Sequence, residues 1–89
     1  MQSFSEFFKA LSDPTRQQII QCLKQRAKTP SELLEEIKIS QPTLSHHLDI
    51  LKRSKVINGE RDGQFIKYAL NMSVFDMAVD YLIQIKKKR

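Results

Sequence analysis

The sequence predicts a mainly α-helical domain carrying one two-stranded β-hairpin, and three observations in its 89 residues carry that prediction. Apolar residues recur at helical spacing in separate short segments. Asp13-Pro14 and Thr29-Pro30 pair a capping residue with a proline at the first helical position, and Ser40-Gln41-Pro42 repeats the device one residue later. From Val56 to Leu70 the apolar period becomes two around Asp62-Gly63, which marks a hairpin.

Taken in order, Phe4, Phe7, Phe8 and Leu11 give an amphipathic first helix over 3–11. Asp13 caps a second helix over about 14–26, buried through Ile19, Ile20 and Leu23. Thr29 caps a third, with Glu32 placed to close a capping box and Leu33, Leu34 and Ile37 as its buried side. Ser40 opens a fourth after a tight turn; Leu44, Leu48 and Leu51 form its apolar stripe, and Ser54 and Lys55 end it. In the hairpin, Asp62-Gly63 is expected at the two central positions, both with positive φ. Ser73 is expected to cap a last helix over 73–87, followed by the basic end Lys86 to Arg89. The order is helix, helix, helix, helix, hairpin, helix: a winged helix-turn-helix in a single domain over 1–89.

Size and charge bound the function. A chain this short buries only about 60% of its unfolded surface on folding, so a second subunit is expected to supply further burial. A net charge of +5 with a pI near 9.6 suits a polyanionic partner. Cys22 is the one cysteine and lies among Ile19, Ile20 and Leu23, as core filler in a reducing compartment. No apolar run approaches the ~18 residues of a membrane span, and no signal peptide precedes the first helix. A cytosolic protein without membrane insertion is expected. No Gly-rich phosphate loop or nucleophile-base pair is visible, so an enzyme is not expected, and no cofactor.

With about 100° per residue, the fourth helix turns Pro42, Thr43, Ser45, His46, Asp49 and Arg53 away from its leucines. That edge is polar and slim, as entry into a major groove requires. Gln41, Thr43, Ser45 and His46 are the candidates for reading bases. Ser40 and Gln41, at the positive end of the helix, suit a phosphate. Lys52, Arg53 and the hairpin-tip residues Arg61, Asp62 and Gln64, with Lys67 beside them, are candidates for backbone or minor-groove contacts. Taken singly, Ser, Thr and Gln at a helix start are ordinary caps. His47 falls at the edge of the leucine stripe and reads as a hydrogen-bonded, half-buried histidine. Adjacent histidines point about 100° apart, whereas metal-binding pairs on a helix sit at i and i+4, so no metal site is expected. A winged helix that binds protein or RNA is the alternative, but such a surface would expose large apolar groups along the fourth helix.

Three segments, Ala10–Arg16 (ALSDPTR), Ser40–Leu51 (SQPTLSHHLDIL) and Arg61–Leu70 (RDGQFIKYAL), resemble the ArsR-type (arsenical-resistance repressor) winged-helix family. Within it the chain is similar to the small autorepressors of the sporulation-delaying-protein type. The resemblance implies a bacterial, dimeric transcriptional repressor on an inverted-repeat operator, with the helix from Gln41 to Lys52 in the major groove and the hairpin as wing. It also implies where metal-sensing members hold their ligands: a Cys-containing motif on the helix matching 30–38, or His and carboxylates on the last helix. Ser31–Glu36 (SELLEE) has no Cys, and the last helix offers Asp76 and Asp80 but no His. A repressor that does not respond to metal is therefore expected, and a metal-responsive repressor of this family is the other alternative. The inducing signal is not written in the residues; a protein partner that relieves repression and a small ligand in the dimer cleft both fit.

In the last helix, apolar residues from Val74 to Ile85 cover about two thirds of the circumference, more than the ~100° stripe one core uses. The excess is expected to pack on a second subunit, making a homodimer through Phe4, Phe7, Phe8, Phe75, Ala78, Val79, Leu82 and Ile85.

Overall fold

A computed structural model describes residues 4–87; Ser3 and the basic end Lys88-Arg89 lie outside the described residues. The elements are α1 (Ser5–Leu11), α2 (Pro14–Gln25), α3 (Pro30–Glu36), α4 (Gln41–Arg53), β1 (Ile57–Asp62), β2 (Phe65–Leu70) and α5 (Met72–Lys87), in the expected order. No described helix is long and apolar enough to cross a membrane.

The helix starts follow their capping chemistry. Asp13 Oδ2 accepts from the Arg16 N–H at 3.0 Å. Thr29 Oγ1 accepts from the Glu32 N–H at 3.2 Å while Glu32 Oε1 accepts from the Thr29 N–H at 2.9 Å, closing the capping box. The Thr29 N–H, and then Arg26 at 3.1 Å, hold the Glu32 carboxyl down from 4.5 to about 2. Unfolded, Glu32 takes up its proton near the ordinary value. The box therefore contributes fully above about pH 4.5 and is lost as pH falls toward about 2. Acid titration of the melting midpoint is expected to fall across that window, and Glu32→Ala to flatten it; an unchanged acid limb in the variant contradicts the assignment.

The core gathers Phe7 and Ala10 of α1, Ile19 and Leu23 of α2, Leu33 of α3, the three α4 leucines, Val56, Ile57, Tyr68, and Val74 and Ala78 of α5. The end of α4 is tied into it. Lys55 takes the left-handed conformation (φ 65°) normally given to Gly. Its N–H bonds the Lys52 carbonyl and the Val56 N–H bonds the Leu51 carbonyl, at 3.0 and 2.9 Å. This closure buries Val56 and sends the chain directly into β1.

Three expectations are corrected. The hairpin turns on Gly63-Gln64, because Asp62 still pairs with Phe65 as the last rung of the ladder. Within the hairpin only Gly63 has positive φ (64°), the need of a glycine-first hairpin turn. The last helix starts at Met72, with the Asn71 side chain accepting from the Val74 N–H at 3.4 Å, so Ser73 is inside the helix and not its cap. Phe7 and Ala78, expected at a subunit contact, are only 4% exposed within the single chain and belong to its core.

One element was not foreseen. Lys28 pairs with Tyr68 as an isolated antiparallel bridge, with N–H to carbonyl distances of 3.0 and 2.8 Å in the two directions. Its side chain is 2% exposed, and its Nζ meets Glu36 Oε2 at 2.6 Å and Gln25 Oε1 at 3.0 Å. A buried ammonium is tolerable only with such partners. The bridge anchors the hairpin's base to the α2–α3 connection.

Candidate nucleic-acid interface

The leucine stripe seats α4 so that Leu44, Leu48 and Leu51 are buried while Gln41, Pro42, Thr43, Ser45, His46, Asp49, Lys52 and Arg53 are exposed. At 3.6 residues per turn, Gln41, Ser45 and Lys52 follow one line along the helix and Pro42, His46 and Arg53 an adjacent one. Leu48, which falls between Ser45 and Lys52 beside the first line, is buried, so no large apolar side chain is exposed on either. Ser40 caps α4: its Oγ accepts from the Thr43 N–H at 3.3 Å and donates to Thr43 Oγ1 at 2.8 Å. The two hydroxyls thus engage each other, while the Gln41, Ser45 and His46 side chains are exposed on the same helix.

At the far end of α4, Lys52 and Arg61 border a cleft of about 430 Å³ floored by Ile57, Gly59, Ile66 and Tyr68. The Lys52 ammonium stands 6.0 Å above the Tyr68 ring, an arrangement that favours the cation. Gly59 leaves the ring room: a Cβ would lie 3.2 Å from the Tyr68 ring and 3.4 Å from Ile66, and the ring would have to shift by a few tenths of an ångström to admit it. The structure thus brings Lys52 of the helix and Arg61 of the hairpin to one basic-walled cleft. Two other candidates are partnered on the surface, Arg53 with Asp49 at 3.2 Å and Asp62 with Lys67 at 3.4 Å. Exposed pairs of this kind hold by less than about 1 kcal/mol, so Arg53 and Lys67 can exchange their carboxylates for phosphates. Gln64 sits in the turn itself, at the hairpin tip.

His47 is half-buried and hydrogen-bonded, as its place beside the leucines implies; its partner is Arg16. Sequence reasoning missed Arg16 and the Lys52–Tyr68 contact, because both join residues distant along the chain. The signal available for Arg16 was its place in the segment Ala10–Arg16.

An exposed polar helix edge beside a hairpin, on a helix-turn-helix core, defines the winged helix-turn-helix class of DNA-binding proteins. Residues 11–60 match the family model described as a helix-turn-helix domain. The chain is 43% identical to the transcriptional repressor SdpR of Bacillus subtilis over 91% of its length and 90% of that protein. It is 35% identical to an arsenical resistance operon repressor of Staphylococcus aureus, covering 88% of this chain and 75% of the other. An ArsR-like transcriptional regulator from Rhodococcus superimposes with a TM-score of 0.91 at 24% identity, covering 96% of this chain and 80% of that one, a likeness of fold. The repressor BigR of Xylella fastidiosa superimposes at 0.72 with 31% identity, over 91% and 83% of the two chains. The chain belongs to the ArsR-type family of winged helix-turn-helix repressors.

Proposed function

We propose that this protein is a homodimeric, sequence-specific repressor that binds an inverted-repeat operator and does not respond to metal. The observation that carries the reading is α4: a slim exposed row of amide, hydroxyl and imidazole groups held out by three buried leucines. Gln41, Ser45 and His46 read base edges, with Thr43 at the margin. Ser40 and the start of α4 receive a phosphate, and Lys52, Arg53, Arg61, Asp62 and Gln64 set the register on the duplex. Dimerisation is supported by the apolar side chains that α5 leaves exposed.

The residue types support metal independence. Burial raises the Cys22 thiol, the reverse of what a thiolate ligand needs. Among the described residues no three His, Cys, Asp or Glu side chains converge. Selection of bound sequences from a random duplex pool, with and without added zinc, tests the reading. A palindromic consensus unaffected by zinc supports it; absence of any consensus, or its loss with zinc, contradicts it.

Positioning and reading contacts separate by salt. Arg61→Ala is expected to weaken selected and unrelated duplexes alike and to lower the slope of log affinity against log salt by about one unit. An unchanged slope removes Arg61 from the phosphate contacts.

A further inference from the structure

We propose that Arg16 is a positioning residue for α4, coupling the end of α1 to His47 so that the base-reading side chains stand at one fixed pitch; the inference rests on the reading of α4 as the recognition helix. Arg16 sits in the first turn of α2, where its backbone N–H is taken by the Asp13 cap. Its guanidinium turns back over two other elements. Nε donates to the Ala10 carbonyl at 2.8 Å, and one terminal nitrogen is 3.4 Å from the Lys9 carbonyl, both in the last turn of α1. The Lys9 carbonyl also accepts from the Ser12 N–H and Oγ, at 3.1 and 2.7 Å, so the bond to Ala10 is the main hold on α1. The other terminal nitrogen lies 3.3 Å from His47 Nδ1, on α4.

A guanidinium carries donors only, so a hydrogen bond here needs His47 Nδ1 as the acceptor, with hydrogen on Nε2; Asp13 Oδ2 lies 3.9 Å from the same Nδ1 and stands beside the contact. The leucines set how deeply α4 sits, but they lie to one side of it. Arg16 grips the other margin of the buried face through His47, next in sequence to His46. Because the guanidinium is a rigid planar fork, α1, α2 and α4 are held in one arrangement. Placing groups against base edges requires positional tolerances near 0.5 Å. The outward residues alone do not supply that fixity.

The test uses the duplex with the highest affinity in a selection by the wild-type protein, against a shuffled duplex of equal length, with melting midpoints recorded alongside. Arg16→Gln and His47→Leu are each expected to lower the preference for the selected duplex about tenfold, and the double variant no further than Arg16→Gln alone, since the contact to His47 is already lost in it. His47→Asn, whose Oδ1 stands where Nδ1 accepted, is expected to regain most of the loss. Nitrogen NMR of the wild-type protein is expected to find His47 neutral with hydrogen on Nε2. Unchanged preference in the single variants, full additivity in the double, no difference between the Asn and Leu variants, or hydrogen on Nδ1 each overturn the coupling. A wild-type protein without preference for any duplex overturns the recognition-helix reading, and this inference with it.

Discussion

Replacing Leu82 by Asp is expected to leave the chain folded but monomeric, and to lower operator affinity on the order of 100-fold or more, the scale at which two linked half-sites exceed one. Leu82 is 51% exposed in the single chain, flanked along α5 by Val79 at 53% and Ile85 at 52%. Beyond Ala78 the helix leaves the core. The ring contact recorded there is Tyr81 over Phe4 at 5.1 Å, with Phe8 at 6.4 Å. Four large aliphatic side chains of one helix beyond Ala78 (Val79, Leu82, Ile83, Ile85) are costly to leave in water. In the proposed dimer a second copy would cover them, and a carboxylate at Leu82 would be buried twice across the twofold axis without a partner. Sedimentation of the variant reads the mass, and circular dichroism the fold. An intact variant dimer with undiminished operator binding contradicts the assignment of this face.

The second large effect concerns specificity. Ser45→Ala and His46→Ala are each expected to weaken binding to the selected duplex by about 1 to 3 kcal/mol and to flatten preference at the base pair each one reads. Neither side chain supports the fold, because both are exposed on the outward face of α4. Stability should therefore be unchanged within about 0.5 kcal/mol. Affinity for shuffled duplex should also hold, which separates these positions from Arg61. A uniform loss across all sequences would move Ser45 and His46 from reading to positioning.

Most of the fold was legible because its signals are local. A cap followed by proline, a leucine every three or four residues, and a period-two stretch broken by glycine each act within one turn or one rung. Where two local signals competed, sequence alone chose wrongly. Asn71 and Ser73 are both good caps, and Asn71 prevails because β2 ends at Leu70, which puts it first in line. Asp-Gly is a strong turn pair, yet the register carries Asp62 into the ladder and shifts the turn by one residue. Nonlocal features were invisible. Lys28 looks like a surface lysine until the bridge to Tyr68 and the carboxylate of Glu36 bury it. Phe7 and Ala78 share the apolar pattern of α1 and α5 with residues that face water, and only the packing of the two helices separates them.

For the candidate interface, the identities of the outward residues followed from the leucine stripe alone. Which of them were already engaged did not. The Ser40–Thr43 hydroxyl pair, the Asp49–Arg53 and Asp62–Lys67 ion pairs and the Arg16–His47 contact depend on side-chain directions across turns and between elements.

The measurement that tests the account most directly is operator affinity as a function of half-site spacing. Two α4 helices related by a twofold axis should meet the duplex about 34 Å apart, one helical turn. Inserting about five base pairs between the half-sites of the selected duplex turns one of them to the opposite side of the DNA. Affinity is then expected to fall to that of a single half-site, with two protomers bound per unmodified duplex. Affinity indifferent to the insertion, or one protomer per duplex, would contradict the account.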